Sequence, residues 1–272
     1  MQEQFILSEI SDLQQRKLEE IESKTVCMPY ELILHKYKKN ELKFLLHVYI
    51  YMKRGYDNTL NLHYVDFFKW TKTSKAKITR AKKEKQINDI LKEMEDNSLI
   101  KILETDSMYV NLETCIPFVR YTKDSFYSKG FTSVYLDEVQ KIMDYDTSKI
   151  KGVTNGLLLY TYVWLVRKIK YVAYIRDGLH PCYYVKEFYC NLCNEIYDNS
   201  EVMKDTIKCL QDLGLVYATT PKRYIRDDGN IAYSATVFVL SYLRDCKQGI
   251  EYYGENYIKS VLEYEEKKSD EE

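Results

Sequence analysis

Glycine and proline are scarce in this chain, with nine Gly and four Pro in 272 residues. A sandwich or barrel needs many tight turns, so this supply points instead to helices joined by short connections. No run reaches the ~20 apolar residues of a membrane span. The most apolar stretch, residues 156–166, is interrupted by Tyr160, Thr161, Tyr162 and Trp164, and no membrane partner is expected. The four histidines (His35, His47, His63, His180) stand apart without an evident carboxylate or serine partner, and His47 reads as a packed helix side chain rather than a general base. No glycine loop that cradles phosphate occurs anywhere. These absences argue against an enzyme and against a bound cofactor.

Cysteine gives no framework either. The seven (Cys27, Cys115, Cys182, Cys190, Cys193, Cys209, Cys246) are odd in number and scattered, and no apolar leader opens the chain, so a reduced, cytoplasmic setting is expected. Cys190-x-x-Cys193 lacks a second pair, and His180 and Cys182 are the nearest other ligands. The pair is read as structural, with no metal.

What is present is globular: 45% hydrophobic and 30% charged residues, enough for a core, in a length that suits two domains. Tyrosine is abundant at 27 while Ala is scarce, a profile that AT-rich codons produce. The net charge of −1 conceals a sharp asymmetry. Eight cations (Lys69, Lys72, Lys75, Lys77, Arg80, Lys82, Lys83, Lys85) face Glu84 alone within residues 69–85, a local excess of seven positive charges that leaves the remainder at minus eight.

Sliding the chain against itself reveals a repeat. Phe44, Leu45 and Leu46 fall on Leu157, Leu158 and Leu159 at a shift of 113, with Tyr49 on Tyr162, Ile50 on Val163 and Met52 on Leu165. Each of these helices is prefaced by a similar segment, residues 26–34 and 133–141, at a shift of 107. A short second helix places Val65 and Phe68 on Val185 and Phe188 at a shift of 120. The third helix repeats an i, i+3, i+4, i+7 stripe, Ile87, Ile90, Leu91 and Met94 onto Met203, Thr206, Ile207 and Leu210, at a shift of 116. A β-prone hairpin follows each: residues 99–103 with 108–112, then 215–220 with 231–240, the second turning at Asp227, Asp228, Gly229 and Asn230.

Three helices followed by a hairpin is the order of a winged helix, the variant of the helix-turn-helix whose third helix and wing face DNA. The expected fold is thus mainly α with small β-hairpins (α+β): two winged-helix units in tandem. The boundaries are an N-terminal helical arm at 1–23, a first unit at 24–116, a linker at 117–130, a second unit at 131–245 and a charged tail at 246–272. In this element order and apolar pattern, residues 24–242 resemble the tandem winged-helix replication initiators of plasmids and phages of low-GC Gram-positive bacteria. They resemble, slightly less well, the DnaD-like primosomal proteins of the same hosts.

The resemblance implies a sequence-specific double-stranded DNA binder serving replication, with a replicative helicase or another replisome protein as partner. The residues point to the same chemistry, because clustered cations interleaved with Thr and Ser are a phosphate-binding footprint. Lys69, Thr71, Lys72, Thr73, Ser74 and Lys75 lie in the turn before the third helix. Lys77, Thr79, Arg80, Lys82, Lys83 and Gln86 lie on its opening turns, expected to stand away from the apolar stripe, with Arg80 and Gln86 able to read guanine and adenine edges. In the second unit Lys222, Arg223 and Arg226 mark a wing contact, while a third helix opening with Asn199, Ser200 and Glu201 looks capped. That unit supplies the wing contact or a surface for a homodimer. Two alternatives stay open: a winged-helix transcriptional regulator, and a protein-interaction scaffold that has lost DNA affinity. A solvated lysine-rich turn would give the same local composition.

Overall fold

The computed structural model describes residues 25–33, 36–55, 57–72, 77–115, 131–168, 170–172, 182–219, 223–225, 229, 231–233, 235–240, 242–245 and 249–252. Its architecture is mixed: seven α-helices with small antiparallel sheets among the described residues. The arm at 1–23, the linker at 117–130 and most of the tail lie outside them.

The first half opens with β1 (Thr25–Pro29) and a 3-10 turn, Tyr30–Ile33, and continues through α1 (Tyr37–Lys53), β2 (Thr59–His63), α2 (Tyr64–Trp70), α3 (Lys77–Asp96), β3 (Ile100–Thr105) and β4 (Tyr109–Thr114). The second half repeats the order. It contains β5 (Phe131–Tyr135), α4 (Leu136–Asp144), α5 (Asn155–Lys168), β6 (Lys170–Val172), β7 (Cys182–Glu187), α6 (Tyr189–Glu195), α7 (Ser200–Asp212), β8 (Val216–Ala218), β9 (Arg223–Ile225), β10 (Ile231–Tyr233) and β11 (Thr236–Leu240). A last hairpin joins β12 (Tyr242–Asp245) to β13 (Gly249–Tyr252).

The sheets correspond as well. In the first half the strand order is β2-β4-β3, and in the second β7-β11-β8 with β6 added outside β7. Strands β2 and β7 are short, and each pairs along an edge of β4 or β11 that lies far along the chain. The second hairpin is also more divided than expected. Strand β8 pairs with β11, while β10 pairs with β9 as a separate ribbon.

One expected correspondence fails. Val185 belongs to β7 and Phe188 is the N-cap of α6, so neither matches Val65 and Phe68 of α2. A shift of 125 is the one that holds, carrying N-cap His63 onto Phe188 and buried Phe67 onto buried Leu192. Two apolar residues three apart do not distinguish helix from strand. The charged tail also begins later than expected, because Gly249–Tyr252 pairs with Tyr242–Asp245. Arg244, Asp245 and Glu251 masked the β-forming Tyr242, Leu243, Ile250 and Tyr252.

The two halves meet through equivalent parts. Strands β1 and β5 pair antiparallel with Val26 opposite Val134 and Cys27 opposite Ser133. The 107-residue shift exchanges those two pairs, so the ladder has an approximate two-fold axis between them. Beside it, α1 packs on α5: the Phe44 and Tyr160 rings meet edge to face at 4.9 Å, and Tyr37 lies 5.4 Å from Tyr160. Both helices are buried on every face, α1 from Phe44 through Tyr51 and α5 from Asn155 through Leu165, which makes them core helices rather than amphipathic surface ones. The hydrophobic cluster runs without a break from Val26 to Leu240 and includes both halves. His47 is wholly buried in it and stacks on Tyr51 at 4.6 Å.

Candidate nucleic-acid interface

The cationic segment lies on α2, the turn after it and the start of α3. Helix α2 is seated by Tyr64 and Phe67, and the Phe67 and Trp70 rings pack around Tyr49 at 5.3 Å each. The Tyr64 hydroxyl donates to Asn88 Oδ1 at 2.6 Å, fixing α2 against α3. In the turn, Thr71 Oγ1 donates to the Phe68 carbonyl at 3.3 Å, and Lys72 takes a left-handed φ of 53°. Thr73, Ser74 and Lys75 lie outside the described residues.

Helix α3 is held in place by Ile87, Leu91 and Met94, all buried, as the stripe predicts. The 116-residue shift equates Glu84 with Ser200, the first residue of α7. Helix α3 therefore begins seven residues earlier than its counterpart, an overhang of about 10 Å at 1.5 Å per residue. Lys77, Thr79, Arg80, Lys82 and Lys83 all fall on that overhang. No acidic residue sits in its first turn. Cations in the first turn, here Lys77 and Arg80, oppose the macrodipole at roughly 0.3–1 kcal/mol each, so their placement weakens the helix and stability does not account for it.

The opposite choice is made in α7. Asn199 Oδ1 accepts from the Glu201 and Val202 amides at 3.0 and 3.1 Å, and Glu201 lies in the first turn. One third helix is built for its own stability and the other presents positive charge.

Lys69, Lys82, Lys85 and Gln86 are exposed. Lys69 pairs with Asp66 at 3.4 Å on the surface, where such a pair contributes little. Lys83 differs from expectation: four residues before Ile87, it shares that residue's row and is half-buried against α1. There it lines a groove of about 550 Å³ with Lys38, Lys39, Lys43, Thr71 and Gln86 and with the acidic Glu41, Asp89 and Glu93. Lys43 and Glu93 close an ion pair at 2.5 Å.

Lys38 and Lys39 extend the cationic surface beyond the segment that composition picks out. Their signal was available in the sequence, since Lys36, Lys38 and Lys39 open α1 with no acidic residue in its first turn and no side-chain cap.

Of the proposed second-half contacts, Arg223 begins β9 opposite Tyr233, while Lys222 and Arg226 lie outside the described residues. The β9–β10 ribbon exposes Ile225 and Ile231, which face each other across the pair, and the first hairpin exposes Met108 and Leu103. On α6, Cys190 is exposed and Cys193 half-buried, with burial and the neighbouring Cys190 pushing the Cys193 thiol up. Among the described residues no three His, Cys, Asp or Glu side chains come together around a metal position. In the same residues no helix is long and apolar enough to cross a membrane.

No family model and no curated protein matches the chain.

Proposed function

We propose that each half is a winged-helix unit and that the protein binds double-stranded DNA sequence-specifically, with the start of α3 in the major groove. The observation that carries this reading is the overhang of α3. A helix end that extends about 10 Å past its counterpart, bears five of the candidate residues and has no acidic residue in its first turn suits a polyanionic groove. Arg80 and Gln86 are the base-reading candidates, and Lys69, Thr71, Lys82 and Lys83, with Lys39, are the phosphate contacts. The β3–β4 and β9–β10 hairpins are the wings. A replication initiator or replisome organiser, working beside a helicase, is the biological role that the resemblance favours. The fold serves a transcriptional regulator equally, and the position of bound sites beside an origin or a promoter separates these.

A protein-docking role is the second reading, favoured by the four apolar side chains exposed on the two hairpins. Fluorescence polarisation with labelled duplex across a salt series decides between them. A phosphate-bound complex loses about 0.9 log units of affinity per contact for each tenfold rise in salt. The expected slope is about −4 or steeper, from the contacts just named. A flat profile, or no binding at low salt, rejects DNA in favour of docking.

A further inference from the structure

Each half grips the turn between the second and third helices of the other half. The turn after α2 reaches the second half through Lys72, whose Nζ donates to Asn155 Oδ1 at 3.3 Å and to the Tyr145 carbonyl at 3.4 Å. Asn155 is itself a buried hub. Its Nδ2 donates to the carbonyls of Ile142, Met143 and Tyr145 at 2.8, 3.1 and 2.7 Å, closing the end of α4, and its Oδ1 also accepts from Thr147 Oγ1 at 3.2 Å. The other turn, between α6 and α7, is held by the start of α1. The Tyr37 amide donates to the Ile196 carbonyl at 3.0 Å, Lys36 pairs with Asp198, and the Lys38 ammonium lies 4.4 Å from the Tyr197 ring centre. The two grips are counterparts under the axis that relates β1 to β5.

We propose that Lys72 is a positioning residue rather than a phosphate ligand: through Asn155 it locks the turn that aims the cationic start of α3, so the second half sets the angle at which the first half meets DNA. This rests on the DNA-binding reading given above. The left-handed backbone at Lys72 supports it. Lysine carries a Cβ that disfavours this conformation, and glycine or asparagine is the usual choice where only the turn matters. A lysine here is explained by where its ammonium goes. The arrangement also gives the second half a part in DNA recognition without a basic third helix of its own.

The test uses Lys72→Asn, which accepts the left-handed backbone but is too short to reach Asn155, and Lys72→Arg, which keeps a donor of sufficient length. In the free full-length protein, hydrogen exchange of residues 71–84 should quicken about tenfold in Lys72→Asn and return towards wild type in Lys72→Arg. Unchanged exchange in Lys72→Asn overturns the grip whatever the protein binds. On duplex DNA, Lys72→Asn should weaken binding about five- to tenfold with the salt slope unaltered. A slope shallower by about 0.9 makes Lys72 a direct phosphate contact and overturns the proposal. Unaltered affinity overturns it too. If the wild-type protein shows no salt-dependent duplex binding, the DNA reading fails, and the exchange result alone then judges the grip.

Discussion

Replacing Arg80, Lys82 and Lys83 together with glutamate should abolish retention on duplex DNA while leaving the circular dichroism spectrum unchanged. A charge-assisted contact contributes on the order of 1.5–3 kcal/mol, so losing three lowers affinity about a thousandfold or more, before the repulsion of three new carboxylates is counted. The usual objection to a triple charge reversal is that it unfolds the protein. Here all three positions precede the buried stripe that begins at Ile87 and so lie outside the core that holds α3. Only Arg80 is close enough to the helix end for a carboxylate to gain from the macrodipole, while Lys83 is half-buried, so the two substitutions act in opposite directions. The variant should therefore melt within a few degrees of wild type. Retention equal to wild type, in a protein with an intact spectrum, would reject the assignment of α3 as the DNA-contacting helix.

The second large effect concerns the contact between halves. Gly156 lies in the first turn of α5 and faces α1: a Cβ there would overlap the Tyr37 hydroxyl and press on Leu45 Cδ1 at 3.2 Å. In an isolated helix, Gly→Ala stabilises by roughly 0.5–1 kcal/mol. At this position the methyl has nowhere to go, and overpacking a filled core costs about 1–3 kcal/mol. Gly156→Ala should thus lower the melting temperature, with a net loss of about 1–2 kcal/mol from those two opposing effects. Two halves that fold side by side without a shared core give the opposite sign. A rise in melting temperature in differential scanning calorimetry would contradict the packing of α1 on α5.

Much of this architecture was legible in the sequence because it is carried by long, strongly periodic segments. The stripe of Ile87, Leu91 and Met94 and its copy at Met203, Ile207 and Leu210 are buried as their spacing requires. The run from Leu157 to Leu165 marked a helix with no solvent face. Short elements were harder to see. Strands β2 and β7 pair with β4 and β11, about 50 residues further along the chain, partners that no local pattern names, and Val185 lies in the strand Cys182–Glu187 rather than in a helix.

The candidate surface was legible as charge and not as shape. Composition located residues 69–85, and it had no means of showing that Lys83 turns into a groove against α1, that Lys38 and Lys39 line the same groove, or that Lys72 is engaged by Asn155. Those facts depend on how the halves meet, which is a product of long-range packing. The pairing of β1 with β5 is of the same kind. Each preface was recognisable as a repeat, while their union in one ladder required the fold.

In the proposed complex the start of α3, and not its counterpart in the second half, lies against DNA. Photo-cross-linking measures this directly, with a benzophenone amino acid placed at exposed Gln86 on α3 or at exposed Glu201 at the start of α7 and a labelled duplex carrying a selected site. Irradiation should join the duplex to the chain from position 86 and leave position 201 unlinked. Equal yields from the two positions, or none from position 86 in a complex that still forms, would contradict it.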